Sequence, residues 1–209
     1  SMDPPVTGCE TFPEFLYQVV SLCRFCECDT IISHFMLAKI VCQEIGGLLM
    51  SDYILSCSST VDLTPMQMKT RGIRYICFHF MLDGQEHDDD MGETILAEEL
   101  YARMTDGAET KTSQVTVAEY TEYFEQLLQE KKDILHVEFS SGLSGSYNSA
   151  RLAVEELREK YPDRKIYLVD SLGASSGYGL IMETLADLRD SGKSAEEVYQ
   201  WVEENKLRM

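Results

Sequence analysis

From residue 53 onward the chain alternates between short apolar runs and longer segments whose apolar residues recur every three or four positions. YILSCSS (53–59) reads as a strand running into a Ser/Thr loop. TPMQMKTRG (64–72) predicts a short helix, with Thr64 as cap and Pro65 in its first turn. IRYICFHFML (73–82) predicts one buried strand, and DGQEHDDD (83–90) a turn and polar loop. TILAEELYARM (94–104) predicts a helix, and TDGAETKTSQVT (105–116) a loop. In VAEYTEYFEQLLQEKK (117–132), Val117, Tyr120, Phe124 and Leu127 fall on one helical face. ILHVEF (134–139) is a strand, and the helix after it places Ala150, Ala153, Val154, Leu157 and Tyr161 on one side. KIYLVDS (165–171) is another strand. GYGLIMETLADLRDSG (177–192) predicts a helix ending at Gly192, and SAEEVYQWVEENK (194–206) a last helix, capped by Ser194 with Glu197 three residues on. Strands alternating with helices imply an α/β fold: a mainly parallel sheet with helices on both faces, and a ligand crevice at the carboxyl ends of its strands.

Composition narrows the class of partner. The 209 residues, 44% of them apolar, suit one globular domain or one domain with an extension. Eighteen Lys plus Arg stand against 36 Asp plus Glu, a net charge of −18. Such a chain is repelled by phosphate backbones and anionic membrane surfaces, which argues against nucleic acid and favours a basic protein partner. No apolar run reaches the ~18 residues of a membrane span. The seven cysteines are odd in number and follow no secretory signal, so reduced thiols in the cytoplasm are expected. Cys23 and Cys26 have C-x-x-C spacing, with Cys28 and His34 nearby. No second pair matches it, so small thiols rather than a metal site are expected.

Five of those cysteines precede Met50, and residues 1–49 read as an N-terminal extension to a domain at 50–209. Ser1 resembles a cleavage scar. Gly46 and Gly47 lie just before Met50, and their codons can form a purine-rich, ribosome-binding-like run. Met50 is therefore the expected native start, with residues 2–49 a translated leader; the alternative is a helical extension packed on the domain or on a second copy. Intact mass of protein from its native source is expected to show a chain beginning at Met50, and a native chain that carries residues 2–49 would refute the leader.

The predicted strands end in hydroxyls: Ser58, Ser59 and Thr60; Ser140, Ser141, Ser144 and Ser146; Ser171, Ser175 and Ser176. A fourth loop adds Thr110, Thr112 and Ser113. In a parallel sheet all four lie at one edge. The helix after Gly142 begins there, and its first amides lack partners within the helix and carry partial positive charge. Hydroxyls, bare amides, and the close approach that Gly142 and Gly145 allow together suit a small anion. Ser, Thr and Gly also build caps and turns everywhere, so the convergence of several loops carries the argument. SGLSGSYN lacks the lysine of a nucleotide-binding P-loop. GLSGS places its second glycine one residue too early for a nucleophile elbow. None of His34, His79, His87 and His136 stands where it would serve as a base for a serine nucleophile. His87 to Asp90, HDDD, reads as a solvated acidic loop, and Tyr147 and Tyr178 as core.

YILSCSSTVDLT, the segment ELYARMTDGAETKTSQVTVAEYTEYFEQLL, SSGLSGSYNSA and VDSLGASSGYG, taken together over about residues 52–206, resemble the DegV family of bacterial fatty-acid-binding proteins. The resemblance implies a two-domain protein. Its first domain is a Rossmann-like sheet of the EDD type, a fatty acid lies between the domains, and in several members the acyl chain is presented to a fatty acid kinase. Thr112 and Ser144 match the carboxylate-binding positions, with Ser59, Ser113, Ser141, Gly145 and Ser175 as pocket neighbours. No catalytic residue, metal or cofactor is implied, the fatty acid being the bound ligand. The physics is compatible: a carboxylate only accepts hydrogen bonds. Bonds to it contribute about 1.5–3 kcal/mol each, and the tail about 0.8 kcal/mol per buried CH₂. Family members continue beyond NKLRM, so a second domain is expected to be missing, leaving apolar surface that self-association could cover. The rival reading is a phosphoryl- or acyl-transfer enzyme acting on a small anion in the same loops.

Overall fold

The first strand, β1 (Tyr53–Ser58), is buried along its whole length, as a central strand of a sheet covered on both faces must be. It pairs in parallel with β2 (Ile73–Ile76) on one side and β6 (Asp133–Glu138) on the other, and β6 pairs in parallel with β7 (Ile166–Asp170). The strand order is β2-β1-β6-β7. The computed structural model describes residues 52–209. The leader, the predicted start at Met50 and the cysteines before it lie outside the described residues.

Alternation along the strands sends side chains into two cores. Tyr53, Leu55, Cys57, Leu135, Val137 and Val169 pack with Met68 of α1 (Pro65–Thr70) and with the apolar faces of α5 (Ser175–Asp190) and α6 (Ala195–Asn205). Ile54, Ile134 and Ile166 pack instead with Tyr120, Phe124 and Leu127 of α3 (Val117–Leu128) and Ala150, Ala153 and Leu157 of α4 (Ser146–Lys160). The expected α/β architecture with helices on both faces is what forms.

The helix ends follow their sequence signals. Thr64 with Gln67, Thr116 with Glu119, and Ser194 with Glu197 each form a reciprocal capping box. The Ser194 hydroxyl and amide hold the Glu197 carboxyl below the usual range, so this cap is intact above the ordinary carboxylate range and lost as pH falls through the lowered value. At the end of α5, Gly192 adopts φ 91°, with Gly192 N–H donating to Arg189 O and Lys193 N–H to Leu188 O, a Schellman closure.

Three expectations change. Residues 73–82 are not one strand. β2 ends at Ile76, and β3 (His79–Leu82) is the middle strand of a separate three-stranded antiparallel sheet. The break falls at Cys77 and Phe78, where the Ser59 hydroxyl accepts from Phe78 N–H at 3.0 Å and Phe78 O accepts from Asp89 N–H at 2.7 Å. The predicted polar loop holds a strand, β4 (Gln85–Asp88), joined to β3 through Asp83 and Gly84 at φ 51° and 81°. Two successive left-handed residues make the hairpin turn that an Asp-Gly pair favours. The predicted loop 105–116 likewise holds β5 (Thr110–Ser113), which pairs with β3. α2 (Ala97–Thr105), shifted slightly from its predicted span, buries none of its nine residues.

Gly179 sets how closely α5 packs. A Cβ there would stand 2.6 Å from Val61 O and 3.4 Å from Leu63 Cδ2. Alanine would gain roughly 1 kcal/mol of helix propensity, but a clash with backbone costs about 1–3 kcal/mol. Gly179→Ala is therefore expected to lower stability, by up to about 2 kcal/mol net, read as a reduced urea midpoint at unchanged slope.

Candidate functional site

Strand order reverses direction between β1 and β6: the chain runs outward to β2 on one side and to β7 on the other. Such a switch point opens a crevice beyond the carboxyl ends of the two strands. The loops that leave β1 and β6 carry Ser59 and Ser140 to Ser144.

The turn after β6 is built from its own hydrogen bonds. Ser141 N–H donates to Asp170 Oδ1 at 3.1 Å, and Gly142 N–H to Ser140 Oγ at 3.3 Å. Leu143 and Ser144 N–H both donate to Ser140 O, at 3.0 and 3.1 Å. Ser146 N–H donates to Ser144 Oγ at 3.2 Å, and the Ser144 and Ser146 hydroxyls lie 3.0 Å apart. The expectation of a row of bare amides from Gly142 onward is thus corrected, because the turn consumes most of its own donors. Gly145, Tyr147 and Asn148 keep amides with no acceptor among the described residues. They stand at the positive end of α4, beside the half-buried Ser144.

Thr112 does not come from a loop of the parallel sheet. It is exposed on β5, opposite Phe80 of β3. Two residues on, Gln114 lies against the Ser144 turn: a Cβ on Gly145 would stand 3.0 Å from Gln114 Cδ and closer still to its Oε1. The T-S-Q stretch and the G-L-S-G turn, 30 residues apart in sequence, are therefore neighbours. Ser113, between Thr112 and Gln114, has a buried hydroxyl with no hydrogen-bond partner among the described residues.

The remaining predicted residues form a second group. Ser59 and Ser175 line a cavity of about 490 Å³ together with Asp62, Leu63, Met91 and Phe139. Ser59 Oγ donates to Asp89 Oδ2 at 2.9 Å, and Ser175, at φ 54°, bonds to Asp62. Ser140 N–H donates to Gly173 O at 3.2 Å and stitches the two groups together. Thr112, Ser113, Ser141, Ser144 and Gly145 do not line this cavity.

The DegV family's sequence model matches residues 57–209. The chain belongs to the DegV family. A DegV domain-containing protein of Clostridium perfringens is 36% identical over 160 residues, 77% of this chain and 55% of the relative. A DegV protein of Thermus thermophilus, described by its fatty acid binding, superposes with a TM-score of 0.65 at 28% identity, covering 74% of this chain and 53% of that one. The fatty acid kinase B3 protein of Streptococcus pneumoniae, loaded with linoleic acid, gives 0.62 at 27% identity, covering 74% and 54%. The chain spans about half the length of the relatives it matches.

Beneath the DegV turn the sheet carries a polar row unforeseen from sequence. His136, not expected to serve as a base, is wholly buried in β6. Its Nδ1 lies 2.8 Å from Ser56 Oγ and its Nε2 2.9 Å from Glu138 Oε2, which also accepts from Tyr120 OH at 2.6 Å. Ser56 Oγ and Tyr123 OH are 2.7 Å apart. Spacing alone would suggest serine, base and acid, but Ser56, His136 and Glu138 are all inaccessible. Burial, helped by the Glu138 carboxylate, pushes the Cys57 thiol and Tyr120 hydroxyl well above their ordinary values, so both stay neutral. Cys77 is pushed up to about 12 by burial and the nearby Asp88, and is likewise a neutral thiol. Tyr178 is core as expected, its hydroxyl donating to Val137 O and accepting from Ser58 N–H; Tyr147 is only half-buried.

The acidic loop after β4 is structured rather than merely solvated. Asp88 meets His79, Asp89 takes Ser59, and Asp90 accepts from Glu93 and Thr94 N–H. No group of three metal-ligating side chains forms among the described residues, and no helix there is long and apolar enough to cross a membrane.

Sequence reasoning passed over Gln114 and Asp170. Asp170 had a weak signal, an acid at a strand end before a Ser-Leu-Gly turn. Gln114 had none, because its partner is 31 residues away. The Gln114 side chain can swing aside, so Gly145→Ala is expected to cost under about 1 kcal/mol. It should nevertheless displace Gln114, read as a unique movement of its side-chain amide resonances at an almost unchanged urea midpoint.

Proposed function

We propose that this chain is the head-group half of a fatty-acid-binding protein that holds a long-chain fatty acid by its carboxylate and performs no chemistry on it. The observation that carries the reading is the contact of Gln114 with Gly145, which brings Thr112's strand beside the Ser144 turn. By this reading the donors are the Thr112 and Ser144 hydroxyls and the free amides at the start of α4, while Ser113, on the opposite face of β5, lies behind the cradle with a buried hydroxyl. An acceptor-only head group suits that set without a formal counter-charge. Ser141 and Gly145 shape the turn. Ser59 and Ser175 shape the adjoining cavity, whose Leu63, Met91 and Phe139 offer apolar surface to the first part of a tail. The DegV relatives described as binding fatty acid, and the fatty acid kinase B3 protein loaded with linoleic acid, support the ligand class.

By this reading the fatty acid is the ligand and no cofactor is needed. A fatty acid kinase is the partner that receives the acyl chain, in the cytoplasm. A second domain, in the part of the longer relatives that this chain does not cover, completes the tail channel. Self-association is the alternative cover for apolar surface left without it. A transfer enzyme in the same loops would need a base facing the turn. Among the described histidines, His136 is buried behind β6, His79 is held by two carboxylates, and His87 stacks on Phe80 at 5.5 Å.

Organic-solvent extraction of the purified protein followed by mass spectrometry is expected to release fatty acid. Ser144→Ala and Thr112→Ala should each weaken binding about tenfold or more, the loss of one hydrogen bond to a charged head group. Wild-type affinity in both variants would overturn the assignment of the cradle.

A further inference from the structure

We propose that His79 is a positioning residue for this cradle: its ring, set between Asp88 and Glu119, clasps the small sheet that carries Thr112 to the amino end of α3. The ligand arm of the test rests on the proposed function; the spectroscopic arm does not.

His79 Nδ1 lies 3.0 Å from Asp88 Oδ1, and its Nε2 lies 2.9 Å from Glu119 Oε1. An ionised carboxylate can only accept, so a ring nitrogen that carries hydrogen donates to the carboxylate facing it. Glu119 faces two ways. Its other oxygen accepts from the Thr116 amide at 2.7 Å and the Thr116 hydroxyl at 2.6 Å. Partial burial pushes the Glu119 carboxyl up, but the Thr116 bonds and the His79 ring outweigh that and hold it below the usual range. Along the backbone, His79 stands opposite Ser113 of β5 on one side and Asp88 of β4 on the other. The result is a closed circuit from β3 through the His79 ring to Glu119, to Thr116, back along Val115 and Gln114 to β5, and across to β3. Gln114, the residue against Gly145, lies inside that circuit, and Val115 anchors it with no exposure.

The charged groups facing the ring are Asp88 from β4 and Glu119 from α3; β5 presents Ser113. Asp89 and Asp90 are turned away, to Ser59 and to the Glu93 and Thr94 amides. The His79 side chain is 17% exposed, sheltered from solvent. Without the ring the link between β4 and α3 is lost, the strand bearing Thr112 moves relative to the Ser144 turn, and affinity for the head group falls.

The test compares the whole chain with His79→Ala and His79→Gln by ¹H–¹⁵N NMR under one set of conditions. In His79→Ala the amides of Thr112, Gln114 and Gly145 are expected to move, Gly145 included although it lies on another element. His79→Gln, whose side-chain amide can still donate to one of the two carboxylates, should recover part of that movement and guards against a variant that fails to fold. With oleate as probe, affinity should weaken about fivefold in His79→Ala and recover in part in His79→Gln. Unmoved Gln114 and Gly145 amides in a folded His79→Ala chain, or wild-type oleate affinity in it, would overturn the clasp. Moved amides without oleate binding in any of the chains would support the clasp and sink the proposed function instead.

Discussion

At the carboxyl end of β1 the Ser59 hydroxyl accepts a bond from the Phe78 amide and donates one to Asp89, and so ties three segments to one oxygen. Ser59 N–H donates to Ile76 O as β2 ends. Past that point the chain cannot continue as a parallel strand, because its next amide is already taken from the side. It leaves the sheet and forms the small antiparallel sheet instead. Everything that places Thr112 beside the α/β domain descends from that departure. β3 pairs with β5, β5 leads through Gln114 and Val115 to the α3 cap, and Gln114 covers Gly145. A single hydroxyl at the end of a central strand therefore connects the parallel sheet to the element that meets its rim.

The sheet beneath the rim is unusual in a second way. On the face covered by α3 and α4 the strand positions run Ile54, Ser56 and Ile134, His136, Glu138, apolar at the amino end and polar towards the carboxyl end. Burying such groups is costly unless their bonds are made. Here Tyr123, Ser56, His136, Glu138 and Tyr120 satisfy one another in a row, with only Glu138 Oε1 lacking a partner among the described residues. A satisfied row in a low-dielectric interior is rigid because each bond fixes the next. That rigidity lies at the base of the turn proposed to hold a head group, and Asp170, at the end of the next strand, fastens the turn from beside it.

What could be read from the sequence was what depends on neighbours along the chain. Tyr120, Phe124 and Leu127 share a helical face because their spacing requires it, and Ser194 with Glu197 closes a cap within four residues. The α/β alternation and the hydroxyls at strand ends are of the same kind. What escaped depends on partners far away. Residues 73–82 carry no glycine or proline to mark the break that Ser59 imposes from 19 residues upstream. β5 carries Thr, Lys, Thr and Ser, a polar strand with no apolar alternation to betray it, and is a strand because β3 pairs with it. Asp83 and Gly84 did carry a local hairpin signal, masked by the acidic run that follows. Thr112 and Ser144 enter as candidates only through family resemblance. The Gln114 contact that relates their segments was not legible, since a glutamine against a glycine 31 residues on leaves no pattern.

The charge of the protein sharpens the division of labour in the site. A chain of net charge −18 repels a carboxylate at long range, yet the proposed ligand is one. Screening confines that repulsion to about 8 Å at physiological ionic strength. Within that distance, short-range donors decide: hydroxyls, bare amides and the positive end of α4 act over a single hydrogen bond. They can orient a head group but supply only a few kcal/mol, whereas burying a long tail is worth on the order of 10 kcal/mol before ordering costs. The acidic surface is therefore no obstacle to such a ligand. An apolar tail can drive it in against the field, and the cradle need only choose which end points at the rim.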